Sequence, residues 1–324
     1  MKRCPACLFV LATAVVLSAQ QLPKDTFTDP DKAGPDFAVQ GEYEGRLDGK
    51  EGWAAQVVAE GKGKFQVYFL KGGLPGAGWD DRTRVKAAAR TEDGKTTAAG
   101  AGWKGEIAEG KFSGKNADGL PFELKHVLRK SPTEGQKPPV GAVVLFDGAN
   151  VDEWDRGKLV EDRLLGPGAT TTKKFRDFTL HVEFRLPFRP LARGQGRGNS
   201  GVYLQQRYEI QILDSFGQLP RNNDCGAVYE KTSPSVNVCY PPLSWQTYDI
   251  EFRAARWADG KKKSNAVVTV KHNGVVIHDK VEIASQTGFG RKEEDTPGAI
   301  NLQNHGNPVY FRNVWIVPHE DAGK

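Results

Sequence analysis

The stretch that most constrains the fold runs from residue 199 to residue 214, NSGVYLQQRYEIQILD, and alternates between polar and apolar side chains. Side chains on an extended strand point to opposite faces with a period of two. Read as one strand, the odd-numbered positions 199–211 place amides, a phenol, a guanidinium and a carboxylate on one face. The other face is mostly apolar and carries Val202, Leu204, Tyr208, Ile210 and Ile212. We therefore predict a strand whose apolar face packs on a core and whose polar face can hydrogen-bond a hydroxyl-rich ligand.

The composition favours an all-β protein with many turns. The 324 residues include 37 Gly and 19 Pro but 1 Met, and they show no long helical pattern. Short alternating segments with Gly turns over residues 36–130 predict a small β-barrel or sandwich domain. Residues 142–318 fit a larger antiparallel two-sheet sandwich, or jelly roll. The Pro-rich residues 131–141 predict a stiff linker between the two, residues 20–35 a linker or ordered arm, and residues 319–324 a tail.

Residues 1–19 have the pattern of a secretory signal peptide. Lys2 and Arg3 precede an apolar run from Leu8 to Leu17, and the small residues Ser18 and Ala19 follow it. The run is too short to span a bilayer, and no later segment is long enough. We therefore expect an exported protein, secreted or periplasmic, without a membrane span.

Cysteine usage predicts one disulfide bond in the mature chain. Cys4 and Cys7 leave with the signal peptide, so Cys225 and Cys239 remain. Two cysteines in an oxidising compartment often pair. Closing a loop of about 15 residues stabilises a fold by roughly 3 kcal/mol.

Charge and ligand spacing exclude some classes of partner and leave one open. The formal net charge of +5 is spread along the chain, and no basic patch is interleaved with aromatic residues, so we expect no nucleic-acid partner. Asp214, Asn222, Asn223 and Asp224 supply oxygen atoms close together in sequence. A divalent cation such as Ca²⁺ could use them, but loop formation explains the same residues, and the sequence requires no cofactor.

Ordered segments over residues 142–318 together resemble the 3-keto-disaccharide hydrolase family, a branch of the concanavalin A-like lectin/glucanase fold. They read VVLFDG, FTLHVEFRL, NSGVYLQ, YEIQILD, CGAVY, WQTYDIEF, HNG and INLQNHGNPVYFRNVWI. The resemblance implies a curved antiparallel sandwich that binds a carbohydrate on its concave sheet. It also implies cleavage of 3-keto-glycosides, whose sugar carries a ketone at carbon 3. The first domain resembles a β unit of some secreted bacterial relatives and implies no activity.

The segment YEIQILD also resembles the acid motif of laminarinase-type glucanases, with Glu209, Gln211 and Asp214 at its three positions. Gln211 cannot ionise, and Asp214 is shorter than Glu. Retaining glycosidases hold their carboxyl groups about 5–5.5 Å apart. Five residues of ideal strand span about 16 Å, which argues against ordinary retaining hydrolysis. A 3-keto sugar instead needs a base, an acid for the leaving oxygen and a group that stabilises an enolate, for cleavage by elimination or hydrolysis.

These considerations give an assignment of catalytic and substrate-binding residues. Glu209 or His305 is predicted as base or acid, with Asp214 as partner, although His305 could instead cap a strand end. The predicted substrate-binding residues are Asn199, Tyr203, Gln205, Arg207, Gln211, Tyr229, Lys231 and Gln303. Two other functions fit the same polar face, a non-catalytic carbohydrate-binding protein and a structural β protein.

Overall fold

The computed structural model describes residues 23–161 and 163–319, so the predicted signal peptide and nearly all of the predicted tail lie outside the described residues. Strands make up 48% and helices 4% of the structure, which confirms the all-β prediction. None of the helices in the described part of the chain is long and apolar enough to cross a membrane.

The first unit is a closed antiparallel barrel in which each strand pairs with the next and the last pairs with the first. Its strands are β1 (Gly41–Leu47), β2 (Glu51–Gly61), β3 (Lys64–Lys71), β4 (Arg84–Glu92), β5 (Lys95–Gly100), β6 (Trp103–Ala108), β7 (Lys111–Lys115) and β8 (Pro121–Val127). Aromatic side chains fill its interior, where Trp103 stacks on Phe69 with ring centroids 4.2 Å apart. Of the two architectures that the sequence left open for this region, the structure has the barrel.

The segment before the barrel packs its aromatic side chains on the barrel core. It contains a 3₁₀ turn at Pro30–Lys32 and a short helix α1 at Pro35–Val39. Phe37 packs edge-on against Phe188 of the second unit, with ring centroids 5.4 Å apart, and Phe27 forms a backbone bridge to the same residue. The arm thus contacts both units.

The second unit consists of two sheets and a small hairpin. Its strands are β9 (Val143–Phe146), β10 (Trp154–Asp155), β11 (Leu159–Val160), β12 (Leu164–Leu165), β13 (Thr170–Thr171), β14 (Phe178–Arg185), β15 (Ser200–Leu204), β16 (Tyr208–Ile212), β17 (Trp245–Arg253), β18 (Arg256–Ala258), β19 (Lys261–Ser264), β20 (Ala266–His272), β21 (Val275–Ile283), β22 (Asn301–Leu302) and β23 (Tyr310–Pro318). The front sheet has the order β10–β13–β22–β15–β16. The back sheet has the order β11–β12–β23–β14–β17–β20–β21, with β9 beside β23.

The apolar faces of the front and back sheets form one core. Val202 and Ile210 of the front sheet and Leu180 and Ile250 of the back sheet are fully buried in the same hydrophobic cluster. Burying such a side chain stabilises the fold by about 1.5–3 kcal/mol. Because these residues alternate with polar ones along their strands, the opposite face of the front sheet is left for polar side chains.

Polar contacts hold the barrel against the sandwich. Arg129, which follows the barrel, pairs with the buried Glu42 of β1 at 2.5 Å, and its guanidinium lies over the ring of Tyr240. Arg197 of the sandwich donates from Nη1 to the carbonyl oxygen of Ala59 at 3.1 Å. The division of the chain into independently folding domains stays a prediction.

The linker after the barrel is bonded to the back sheet. Thr133 donates its hydroxyl to Asp249 at 2.7 Å, and the backbone N–H of Gly135 donates to Glu183 at 2.5 Å. Below it, Nδ1 of the buried His181 lies 2.6 Å from Asp249. The linker therefore covers a cluster of charged groups.

Candidate active site

Residues 199–214 form a hairpin, so the prediction of a single strand is wrong. Strands β15 and β16 pair antiparallel, with Tyr203 opposite Glu209 and Gly201 opposite Gln211. The chain reverses because Gln205 and Gln206 adopt positive φ angles of 56° and 58°. The alternation survives the reversal, because the register keeps the polar positions of both strands on the same face.

Tyr203 and Glu209 form a hydrogen-bonded pair on the polar face of the front sheet. The hydroxyl of Tyr203 donates to Oε2 of Glu209 at 2.7 Å, and the two residues are 5% and 2% exposed. Burial raises the pKa of Glu209 to about 7, against the opposing hydrogen bond from Tyr203 and with a contribution from the charge of Glu230. Burial and the charge of Glu209 raise the pKa of Tyr203 as well. A carboxyl group with a pKa near 7 can accept or donate a proton at neutral pH.

A polar pocket of about 590 Å³ opens over this face, and Tyr203 lies in its wall. The other lining residues come from the front sheet and the loops around it: Asp155, Arg156, Gly168, Thr170, Thr171, Thr172, Lys174, Gln206, Phe289, Arg291, Ala299, Asn301 and Gln303. Gln303 and Tyr203 interact, and the buried Oε1 of Gln303 has no hydrogen-bond partner in the described part of the protein.

The loop of residues 284–299 forms one wall of the pocket, and none of its residues was among the predicted site residues. Thr287 accepts the backbone N–H of Glu209 on its hydroxyl at 2.9 Å, which fixes the loop to β16. Phe289 at its tip lines the pocket and is 81% exposed. Gly290 allows the close approach, because a Cβ there would lie 2.0 Å from the carbonyl oxygen of Arg207. The signal in the sequence was an aromatic residue between two glycines, Gly288 and Gly290.

Gln205 and Arg207 were predicted to bind substrate, and the structure places them in the hairpin turn instead. Nε2 of Gln205 donates to the carbonyl oxygen of Phe175 at 2.9 Å. Arg207 donates from Nη1 to Oε1 of Gln205 and from Nη2 to the hydroxyl of Thr296, both at 2.9 Å. Both side chains are buried, so they stabilise the turn and the loop rather than contact the pocket.

Asn199 and Gln211 are also buried, in a network of amides beside the pocket. Both donate a side-chain N–H to Oε1 of Gln195 at 3.0 Å. Their exposures are 2% and 1%, and neither residue lines the pocket, so the structure does not place them as substrate contacts. The network instead supports the backbone of the front sheet.

Asp214 does not join Glu209, which corrects the predicted pair of acids. Its carboxylate accepts from Nε of Arg197 at 2.6 Å, and both residues are buried. It lines a second crevice of about 310 Å³ between the barrel and the sandwich, together with Asp224. Among residues 23–161 and 163–319, no three His, Cys, Asp or Glu side chains are grouped as a metal site.

His305 does not line the pocket that contains Tyr203. The backbone N–H of Gln303 bonds the carbonyl oxygen of Gly201, so His305 lies two residues further along, in an exposed turn. His305 was predicted to act together with Glu209. The structure instead places it in the exposed turn after β22, which ends at Leu302, outside the pocket lining.

Tyr229 and Lys231 follow Val228, which forms a backbone bridge to Ile210 on the outer side of β16. The backbone N–H of Tyr229 donates to the carbonyl oxygen of Glu209 at 3.0 Å, and its half-buried ring lies near the Glu209 carboxylate. Lys231 is exposed, and its ammonium contacts the hydroxyl of Ser285 at 3.1 Å. Of the predicted site residues, the structure thus groups Tyr203, Glu209, Tyr229 and Gln303.

The predicted disulfide is absent, and Cys225 and Cys239 are free thiols. Each is 1% exposed in the core of the sandwich. Sγ of Cys225 lies 3.2 Å from the hydroxyl of Tyr248, and Sγ of Cys239 lies 3.6 Å from the carbonyl oxygen of Leu213. The two thiols also interact with each other, so the structure shows them as neighbouring reduced groups in the core.

The fold and the pocket define a β-sandwich protein with a hydrogen-bonded tyrosine–glutamate pair on its front sheet. Residues 141–317 match the model of the 3-keto-alpha-glucoside-1,2-lyase-like domain, and the chain belongs to this family. This match confirms the resemblance to 3-keto-disaccharide hydrolases. Family membership supports a glycoside-active enzyme in general.

Solved structures of two proteins from Parabacteroides distasonis are similar to this chain, and each is described as a "putative glycosyl hydrolase". The first is 34% identical, with a TM-score of 0.51, and the match covers 56% of this chain and 85% of that chain. The second is 19% identical, with a TM-score of 0.41, and covers 60% of this chain and 99% of that chain. A search of curated proteins found no match.

Proposed function

We propose that this protein cleaves 3-keto-glycosides by elimination across carbons 1 and 2, in the pocket of the front sheet. The observation that carries the proposal is the Tyr203–Glu209 pair, a 2.7 Å hydrogen bond between a pocket-lining phenol and a buried carboxylate. The family is described as 3-keto-alpha-glucoside-1,2-lyase-like, which supports both the 3-keto substrate and an elimination across carbons 1 and 2.

A ketone at carbon 3 acidifies the hydrogen on carbon 2, so the first step is a proton transfer. The hydroxyl oxygen of Tyr203 takes this proton while its own proton passes to Oε2 of Glu209. The electrons of the broken C–H bond form the enolate between carbons 2 and 3. The enolate then forms the carbon 1–carbon 2 double bond and expels the oxygen on carbon 1, which takes a proton from water. General base catalysis of this kind contributes typically 10²–10⁴-fold to a rate, roughly 3–5 kcal/mol.

The neutral polar groups of the pocket hold the sugar in this mechanism. Asn301 and Gln303 lie beside Tyr203 on the front sheet and line the pocket, so their side-chain amides bond sugar hydroxyls. Amide groups suit this task because they bind hydroxyls without placing a second charge next to Glu209.

The test compares a 3-keto-glucoside that carries a chromogenic aglycone with its unoxidised parent. We expect release from the keto compound alone, an enone product in the NMR spectrum, and loss of release in Glu209→Gln and Tyr203→Phe. Equal release from both compounds would overturn elimination. Binding of the keto compound without release would favour the carbohydrate-binding alternative.

We also propose that the protein is exported, on the signal pattern of residues 1–19. The N-terminal sequence of protein purified from the culture medium or the periplasm tests this proposal. A mature chain that starts shortly after Ala19 supports it, and an intact Met1 in the cytosolic fraction opposes it.

A further inference from the structure

The pocket has one end that the proposed reaction does not use, and this end combines an exposed aromatic ring with exposed cations. Phe289 lines the pocket and is 81% exposed, although exposure of a large aromatic ring to water is unfavourable. Arg291 and Lys174 line the same pocket and are exposed.

These three residues lie together at the hairpin end of the pocket. The backbone N–H of Arg291 donates to the carbonyl oxygen of Gln206 in the hairpin turn, at 2.8 Å. Lys174 precedes Phe175, whose backbone pairs with Gly298 at the base of the same loop. Tyr203 and Gln303 lie on the strands further from the turn, so the ring and the two cations are next to the proposed sugar position and not on top of it.

The loop that carries Phe289 is fixed at its base. The hydroxyl of Tyr208 donates to Oε1 of Glu293 at 2.5 Å, and the ammonium of Lys262 pairs with the same carboxylate at 2.8 Å. Thr287 is fully buried and bonded to β16. The ring of Phe289 is therefore presented to the pocket by an anchored loop.

Three cations around the pocket have no acidic partner among residues 23–161 and 163–319. In the part of the chain that the structure describes, the side chains of Arg156, Lys174 and Arg291 form neither a salt bridge nor a hydrogen bond, and the pocket lining includes one carboxylate, that of Asp155. The positive charge of these side chains favours an anionic ligand. The aromatic ring of Phe289 next to them favours a ligand with a flat ring.

We infer that Phe289, Arg291 and Lys174 form an aglycone subsite that selects an aromatic aglycone carrying a negative charge, such as a benzoate. The inference rests on the proposed function for the position of the sugar. Stacking on Phe289 orients the aglycone, and the two cations attract its carboxylate. The subsite thereby makes a carboxyphenyl glycoside a better substrate than a neutral aryl or alkyl glycoside.

Binding and turnover are measured separately, so that this inference and the proposed function can fail independently. The binding probes are 4-carboxyphenyl and 4-methylphenyl α-glucosides without the ketone, titrated by NMR. The turnover substrates are their 3-keto derivatives and a 3-keto methyl glucoside. The variants are Phe289→Ala, Phe289→Tyr, Arg291→Gln and Lys174→Gln, with Arg253→Gln of the back sheet as a matched control for loss of a surface charge.

In the wild type, we expect tighter binding of the carboxyphenyl probe than of the methylphenyl probe. Arg291→Gln and Lys174→Gln should each reduce that preference roughly twofold to fivefold, because an exposed ion pair usually contributes a free energy of this size. Phe289→Ala should weaken both aryl probes by roughly fivefold to tenfold and Phe289→Tyr should not. Arg253→Gln should match the wild type, and raising NaCl to about 1 M should abolish the charge preference because the Debye length falls to about 3 Å.

Wild-type affinities that are equal for the charged and neutral probes, or unchanged in Phe289→Ala, would overturn the subsite even if the keto substrates were cleaved. Conversely, the expected binding pattern without cleavage of any keto substrate would support the subsite and refute the proposed elimination. Equal turnover of aryl and methyl 3-keto-glucosides would also overturn the proposed selectivity.

Discussion

Gly201 and Glu209 share one space on the front sheet, because the Glu209 carboxylate occupies the position of a side chain at residue 201. A Cβ atom there would lie 2.2 Å from Oε1 of Glu209, far inside van der Waals contact. The backbone of Gly201 does not have the positive φ angle that would itself require glycine. The absence of a side chain at this position therefore serves the placement of the carboxylate.

We expect Gly201→Ala to displace the Glu209 carboxylate from Tyr203 and to lower kcat for a 3-keto-glycoside at least tenfold, since catalysis depends on angstrom-scale placement. The melting temperature should fall by a few degrees as well, because the displaced carboxyl group is buried and loses its hydrogen bond from Tyr203, so kcat is measured on the folded protein. Gly196→Ala is the matched control, since nothing lies within 4 Å of its Cβ position. Unaltered kcat in Gly201→Ala would argue against a role for Glu209.

The rate should depend on the ionisation of Glu209. Its pKa of about 7 predicts that kcat/KM rises with pH through about 7 and falls tenfold per unit at lower pH, because the base must be deprotonated. The hydrogen bond from Tyr203 lowers this pKa, so Tyr203→Phe should move the midpoint of any residual activity upward. The pH profile of kcat/KM for both proteins checks this, and a midpoint that moves downward in the variant would contradict it.

The alternation of residues 199–214 predicted the polar face and the position of Glu209 on it, but not the turn. Gln205 and Gln206 both adopt the left-handed conformation, which is uncommon for residues other than glycine, and no Gly or Asn marks the reversal. Tyr203 could be identified as the partner of Glu209 only from the register of the hairpin. The core residues Val202 and Ile210 could be predicted, because the two-residue alternation of polar and apolar side chains is enough to identify the buried face.

The rest of the site depends on contacts between residues that are distant in sequence. Thr170, Phe289 and Asn301 meet in one pocket because their strands and loops lie beside β15, which local alternation does not reveal. Asp214 was predicted as a catalytic partner because it stands at the third position of the glucanase acid motif that begins at Glu209. Its partner Arg197 was not apparent, because a two-strand hairpin is needed to bring the two residues together.

Asp214 should matter for stability and not for catalysis. Asp214→Asn leaves the buried guanidinium of Arg197 without its counter-charge, and breaking a buried ion pair costs about 3–5 kcal/mol. We expect a clear loss in the free energy of unfolding by urea, with kcat/KM of the remaining folded protein within about twofold. The conservative variant Arg197→Lys should be less damaging. A large loss of kcat with unchanged stability would return Asp214 to the catalytic site.

The thiols of Cys225 and Cys239 should be unreactive in the folded protein. Both are buried in the core, so a thiol reagent should modify neither in buffer and both in denaturant. Mass spectrometry after alkylation measures the number of modified thiols. A chain that gains no label in denaturant unless a reductant is added would contain the disulfide after all.

The charged cluster under the linker should make stability fall at alkaline pH. Burial opposes the charge of His181, but its bonds to Asp249 and Glu183 outweigh this and raise its pKa above the ordinary value of 6.5. The stabilisation is therefore fully present below pH 6.5 and is lost as the pH rises through the raised pKa. Despite its burial, Glu183 has a pKa lowered to about 2 by its bonds to His181, Asn313, Gly135 and Arg312, so its contribution is fully present above pH 4.5 and is lost as the pH falls through about 2.

We expect His181→Asn to destabilise the protein by about 3 kcal/mol at pH 6, because it removes the cationic ring that the carboxylates of Asp249 and Glu183 both face, and by less at pH 9. Thermal unfolding of both proteins across this range measures the difference. His305→Asn is the control, since His305 is exposed in a turn and should affect neither stability nor turnover. A difference between His181→Asn and the wild type that is constant from pH 6 to pH 9 would show that His181 contributes by packing on Trp315 alone, with no charge on its ring.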